Sequence, residues 1–451
     1  MSQNLAEGSV KKQLLRLAAP AVLAQLVNLL YNVVDRIYIG HIPEIGAAAL
    51  TGVGLFAPIL MLLNAFAMLV GSGGAPLAAI SMGKGDSEKA AHIMSNCLTV
   101  LLLLSAVLTA VFYRFAPQLL IFFGASADTL PFALEYARIY ILGSIFVLLV
   151  MGLNPFITTQ GFAKVSMLTT VIGAVINIIL DPIFIFLFDM GVRGAAIATV
   201  LSQAVSAIWI LRFLTGEKTV LRLKKEALIL RANIILPCFA LGVSTFVMLS
   251  TESLLSISFT NSLAKYGTDL DVGAMTVLNS LVMLITMPLA GLCQGAQPLI
   301  GYNFGAGRTA RVKEAFYTVF AVCVGYAILF WLALTLFPGT FAGIFTSNKA
   351  LAQRAVWAIG IYFSCAFTHG FQTSCQQSFV SLGQAKVSLL LACLRKIVLL
   401  IPLIFILPCF FEDQVFAVFL AEPVSDVIAA AVTTLVFLLN FDKILEKGKA
   451  Q

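Results

Sequence analysis

Twelve apolar runs of membrane-crossing length divide this chain, and nothing else in the sequence constrains its fold as strongly. A helix needs roughly 20 mostly apolar residues to cross a bilayer core. Runs of that kind lie at 14–39, 47–80, 92–114, 131–153, 165–188, 193–214, 232–260, 271–302, 314–337, 352–377, 387–409 and 415–440. Charged or turn-rich breaks separate them. Of the 451 residues, 60% are hydrophobic and only 11% charged. A soluble domain carries about 25% charged residues, so one this apolar would expose greasy patches and aggregate. The spacing predicts an all-α polytopic membrane protein. The second and eighth runs are long enough to tilt or end in an interfacial turn.

Basic residues set the expected orientation. With the N-terminus inside, the inner segments hold nineteen of the 28 Lys and Arg residues, from Lys11, Lys12 and Arg16 through Lys443, Lys447 and Lys449. The outer segments hold Arg114, Arg138, Arg193, Lys265, Lys349 and Arg354. This bias predicts cytoplasmic termini in a cell membrane. It also accounts for the net charge of +7 without any nucleic-acid partner. The polar start, Ser2 to Gly8, leads into an apolar run too long for a signal core, so it reads as the first span.

An internal repeat organises the twelve spans. Laid over itself with Gly73 on Gly295, the sequence also brings Pro76, Leu77, Gly83 and Gly85 onto Pro298, Leu299, Gly305 and Gly307. The same shift brings Gly161, Ala163, Lys164, Val165 and Ser166 onto Gly383, Ala385, Lys386, Val387 and Ser388. Six helices per half is an even number, so both halves share one orientation. The expected layout is therefore two six-helix lobes related by a parallel repeat about the membrane normal. The N-lobe is placed at 1–214, a basic cytoplasmic linker at 215–231, and the C-lobe at 232–451. The amphipathic linker reads as a short surface helix.

Enzyme chemistry finds no support. No phosphate loop exists, since Gly83-Lys84-Gly85 lacks the upstream glycine and the Ser/Thr. No H-E-x-x-H occurs among three histidines. The eight cysteines sit in or beside apolar runs without metal spacing and read as packing residues. No cofactor is expected, and any energy input must come from an ion gradient.

Acids inside the spans carry the functional signal. A carboxylate at mid-bilayer costs at least about 2.5–3.5 kcal/mol. Asp35, Asp181, Glu252 and Asp426 fall deep in predicted spans, with Glu422 nearer an end. Asn28, Asn32 and Asp35 share one face of the first helix, and Asn177 and Asp181 are i, i+4 in the fifth. Pro182 cannot sit against the carbonyl of Ile178, which becomes a free oxygen ligand. Asn154-Pro155 repeats that arrangement, and Thr199, Gln203 and Ser206 form a polar stripe on the sixth helix. Such oxygens would hold a hard cation, including sodium, or pass a proton. Shifting Asp35 and Asp181 by the repeat reaches Ile257 and Leu403, which confines that site to the N-lobe. The C-lobe offers Glu252, Gln294, Gln372 and Gln376, and Arg395 is expected to pair with Asp426.

The motifs together resemble one known family. Pro20 and Asp35-Arg36-Ile37-Tyr38-Ile39-Gly40 are similar to the first-helix signature of multidrug and toxic compound extrusion (MATE) transporters. Gln294-Gly295-Ala296-Gln297-Pro298, Gly301-Tyr302-Asn303-Phe304-Gly305-Ala306 and Asn177-Ile178-Ile179-Leu180-Asp181-Pro182 also match. The resemblance covers nearly the whole chain, nearest to the DinF- and MepA-like bacterial branch. It implies two lobes around a central cavity and export of organic, often cationic, compounds by proton or sodium antiport. It places the ion-coupling site at Asp35, Asn154, Asn177, Asp181 and Thr199. Asn32, Gln203, Glu252, Gln294 and Gln372 are the expected cavity residues. The expected assembly is a monomer whose partners are small organic substrates and the bilayer. The rival readings are a flippase for a lipid-linked saccharide, a membrane enzyme and a purely structural protein. Few intramembrane basic residues argue against the first. The missing catalytic constellations argue against the second, and the buried acids against the third.

Overall fold

The computed structural model describes residues 5, 8–43, 46–123, 125–127, 129–223, 225–345 and 349–449, without the side chains of 32, 33, 36, 46–48, 225, 226, 253, 269 and 447–449. Helices follow one another throughout, and no strand occurs among these residues. The predicted spans take up Val10–Gly40, Ala49–Gly83, Ser87–Phe122, Leu130–Thr159, Ala163–Leu187 and Gly191–Thr215, then Ala232–Tyr266, Asp269–Gly305, Thr309–Leu336, Lys349–Ser381, Ala385–Cys409 and Gln414–Lys449. Ten of the described helices are long and apolar enough to cross a membrane, or eleven with the bent fourth pair counted as one span. That pair, Leu130–Leu142 and Ser144–Thr159, bends by 55°. The tenth span is the repeat partner of the fourth and is broken in the same place. It consists of Lys349–Tyr362 and Thr368–Ser381. Its second half carries His369, Gln372, Gln376 and Gln377, which makes it the most polar of the twelve.

Turn geometry repeats with the sequence. Gly85 and Gly307, partners in the repeat, close the second and eighth spans at φ +84° and +68°. Gly161 and Gly383 do the same between spans four and five and between ten and eleven, at φ +86° and +71°. After Gly85 the Asp86 side chain accepts the Lys89 N–H at 2.8 Å and caps the third span.

Two buried apolar clusters form the cores. One runs from Ile39 to Cys238. The other gathers Leu255 to Leu445, together with Leu5, Val10, Leu14 and Leu17. The start of the first span thus packs against the C-terminal half. The two halves meet along spans one, two, seven and eight, at the end where spans two and eight finish. A Cβ at Gly83 would strike the Tyr302 carbonyl, and one at Gly305 would strike the Ile80 carbonyl. Gly83 and Gly305 are repeat partners, and so are Ile80 and Tyr302. Gly73 meets the Cys238 backbone, and its partner Gly295 meets Ala18. Lipid offers no hydrophobic drive between helices, so residues without side chains supply the close packing.

The linker differs from its expected surface helix. Among its described residues, only Lys225–Leu228 form a 3₁₀ turn. Side chains of the N-terminal half take up the backbone groups that a helix would use. Gln160 Oε1 accepts the Val220 and Leu221 N–H groups, each at 2.8 Å, and the Thr219 hydroxyl at 2.7 Å. Asn96 Oδ1 accepts the Arg231 N–H, while its Nδ2 donates to the Ala227 carbonyl.

Candidate functional site

The fifth span supplies the centre of the N-terminal cluster. Its α-helix ends at Pro182 and continues as a π-turn, Ile183–Leu187. Such irregularities follow when proline removes an amide and crowds a carbonyl. One turn before it, Asn177 and Asp181 are both fully buried. Asn177 Nδ2 donates to Asp181 Oδ1 at 3.1 Å and to Thr199 Oγ1 at 3.3 Å, which joins the fifth span to the sixth. Thr199 in turn donates to the Ala195 carbonyl at 3.0 Å, and Ser202 donates to the Thr199 carbonyl at 2.8 Å.

Asp35 approaches from the first span. Its side chain is within hydrogen-bond reach of Asp181. Carboxylates only accept, so a hydrogen bond between two carboxyls requires a shared proton. Two ionised acids at this separation in low dielectric require a cation between them. Asp181 Oδ2 and Asn177 Oδ1 are buried and accept no hydrogen bond. These are oxygens of the type that hard cations use, so the residues present fit a coupling cation.

Three tyrosines complete the wall, and the sequence reading did not single them out. Tyr31, Tyr136 and Tyr140 stand close enough to Asp35 to feel its charge, and the first two hydroxyls reach toward Thr199. Tyr136 and Tyr140 stack with centroids 5.8 Å apart and both meet the edge of Phe56. Their i, i+4 spacing was a legible signal that they share a helix face.

The expected residues do not all converge. Asn154 donates to the Ser166 carbonyl at 3.3 Å. Ser166 precedes Asn177 by eleven residues, roughly 16 Å along the helix at 1.5 Å per residue. Asn154 therefore stands apart from the Asp35–Asp181 cluster, with its own Oδ1 buried and unbonded. Gln203 is half-buried one turn beyond Thr199. Gln294 is exposed and accepts from Gln25 Nε2 at 3.2 Å, across the first and eighth spans. Gln372 is buried with an unbonded Oε1. The Asn32 side chain lies outside the described residues.

A second polar cluster occupies the C-terminal half. Glu252 pairs with Lys396, which also donates to the Met248 carbonyl at 2.9 Å. The expected Arg395–Asp426 pair is present, with Nε to Oδ1 at 2.9 Å. His369 and Glu422 join it, and the sequence reading had not connected them. Arg395 and Lys396 lie in a second π-turn, Leu394–Leu400.

The comparisons agree with this architecture. The MatE family model matches residues 20–183 and 244–406, one stretch in each half. The multidrug export protein MepA of Staphylococcus aureus (strain MRSA252) is 24% identical, over 96% of this chain and 94% of its own. MepA of Staphylococcus saprophyticus is 25% identical, over 98% and 97%. A MATE crystallised in a bent conformation superposes with a TM-score of 0.92 at 23% identity, over 99% of this chain and 98% of that one. An outward-facing multidrug resistance MATE transporter of the MOP superfamily gives 0.90 at 23% identity, over 99% of both chains. This chain is a multi-pass membrane protein of the MatE transporter family, and not an enzyme.

Proposed function

We propose that this protein exports organic compounds, often cationic ones, by antiport with protons or sodium ions. The observation that carries the reading is the buried contact between Asp35 and Asp181. Two acids so placed cannot both stay ionised unaided, and a cation or a shared proton decides which arrangement of the spans is stable. Asn177 and Thr199 orient Asp181 through their hydrogen bonds, and the tyrosines close the site from the fourth and first spans. Asn154 is held at Ser166, farther down the fifth span, and takes no part in this contact. The substrate cavity lies between the lobes, N-lobe 1–214 and C-lobe 232–451, with Gln203, Glu252, Gln294 and Gln372 at its wall. The multidrug export named for the MepA relatives supports the same reading.

The protein sits in the cell membrane as a monomer, with both termini cytoplasmic and no nucleic-acid partner. In that orientation the glycine contacts close its cytoplasmic side, and the Asp35–Asp181 pair lies toward the opposite side. The state is then outward-facing. Arg395 and Lys396 are each tied to a carboxylate, so neither makes a free cationic surface. This favours the exporter over the saccharide flippase.

Ethidium or norfloxacin efflux from cells producing Asp35→Asn tests the proposal. Efflux is expected to fall to background, and undiminished efflux at wild-type expression would sink the assigned role. In proteoliposomes, a pH jump set against a sodium jump identifies the coupling ion.

A further inference from the structure

The charged cluster in the C-terminal half is not used by the Asp35–Asp181 site, and its charges do not balance. Arg395 Nε and Nη2 lie 2.9 and 2.7 Å from Asp426 Oδ1. The same Nη2 is 3.5 Å from Glu422 Oε1 and 3.4 Å from His369 Nε2. A guanidinium only donates, so His369 Nε2 accepts. The neutral ring then carries its proton on Nδ1, 3.4 Å from Asp426 Oδ2. A second proton on this ring would oppose the guanidinium. Lys396 is paired with Glu252. The cluster thus sets two fixed cations against three carboxyls.

The surplus falls on Glu422. Glu252 is half-exposed and has its own lysine. Asp426 takes both short contacts from Arg395. Glu422 is buried, with a side chain 8% exposed, and its one ion contact is the long one. The ionisable groups facing it are Asp426 on its own helix, Tyr362 and His369 from the two halves of the tenth span, Arg395 and Lys396 from the eleventh, and Glu252 from the seventh. Asp271, in the first turn of the eighth span, is engaged by Arg354. An unbalanced buried carboxylate is the costliest member of such a network, and a proton removes the cost without moving a side chain.

We propose that Glu422 holds an exchangeable proton, which makes the C-terminal cluster a proton-binding site separate from Asp35 and Asp181. The site does not depend on the antiport reading above. Infrared difference spectroscopy of the full-length protein in lipid nanodiscs tests it without any transport measurement. In an Asp35→Asn, Asp181→Asn background, a protonated-carboxyl band at neutral pH is expected, shifting in D2O and lost on alkalinisation. Adding Glu422→Gln should abolish it. A band that survives Glu422→Gln, or the absence of any band before that change, overturns the proposal. Should Glu422→Gln fail to fold, Glu422→Asp keeps the carboxyl and displaces it. A shifted band supports the assignment, and an unmoved band overturns it.

Discussion

Asn154 and Gln376 are partners in the internal repeat and make the same hydrogen bond. Asn154 Nδ2 donates to the Ser166 carbonyl at 3.3 Å, and Gln376 Nε2 donates to the Ser388 carbonyl at 2.7 Å. Ser166 and Ser388 are repeat partners as well. Each bond ties the second half of a broken span to the helix that follows it. Tyr140 and Tyr362 keep the same offset, each facing the acids of its own half. The two halves thus share a scaffold, but their clusters differ in chemistry. In one, two acids face each other. In the other, arginine and lysine side chains are already in place between the acids.

Asn177 joins Asp181 to Thr199, so its loss should disrupt the N-terminal cluster. Asn177→Ala leaves both partners buried with an unmet bond, at about 1–3 kcal/mol. Ethidium efflux is expected to drop at least as far as in Thr199→Ala, which removes only one of the two Asn177 contacts. Efflux equal to wild type at matched expression would refute the bridging role.

The glycine contacts predict a conformational shift. Gly73→Ala places a methyl against the Cys238 backbone, and overpacking of this kind costs about 1–3 kcal/mol. The closed end should therefore loosen. Buried Cys97 and Cys238 report it through maleimide labelling, in a background with Cys365, Cys393 and Cys409 replaced by serine. Labelling should accelerate about tenfold for each 1.4 kcal/mol lost. Gly295→Ala, the repeat partner, should act in the same direction.

Removing Arg395 strands two buried acids. Arg395→Gln is expected to lower stability by about 3–5 kcal/mol, as when one member of a buried pair is deleted. Asp426→Asn in the same chain should restore a large part of it. Thermal unfolding of the four proteins in a double-mutant cycle measures the coupling. Additive losses would show that the pair contributes little.

Gln160 holds the linker by accepting three hydrogen bonds with one oxygen. Gln160→Ala should free residues 216–223 and expose Lys218 and Arg222 to trypsin. Cleavage should rise several-fold, while ethidium binding stays unchanged. Resistance equal to wild type would mean that Asn96 and Thr99 secure the linker without Gln160.

Hydropathy, the constant offset between the two halves and the buried acids were legible in the amino-acid sequence. Each is a property of local composition or of fixed spacing, and none depends on how helices rotate against one another. Asn177 and Asp181 read correctly as neighbours because helical periodicity alone places i and i+4 on one face. Contacts between helices were another matter. Whether Asp35 met Asp181, whether Asn154 joined them or bonded Ser166, and whether Glu422 and His369 gathered at the expected Arg395–Asp426 pair depended on tilt and rotation, which the sequence does not state. His369 carried no signal of its own until the break in the tenth span brought it to Asp426. The three tyrosines were lost among thirty-five phenylalanines and ten tyrosines for the same reason. The sequence determined a twofold-repeated membrane bundle with acids inside it. The tertiary structure alone decided which acids are left facing each other and which gather around the Arg395–Asp426 pair. That choice is made by packing between helices, where partners lie far apart along the chain.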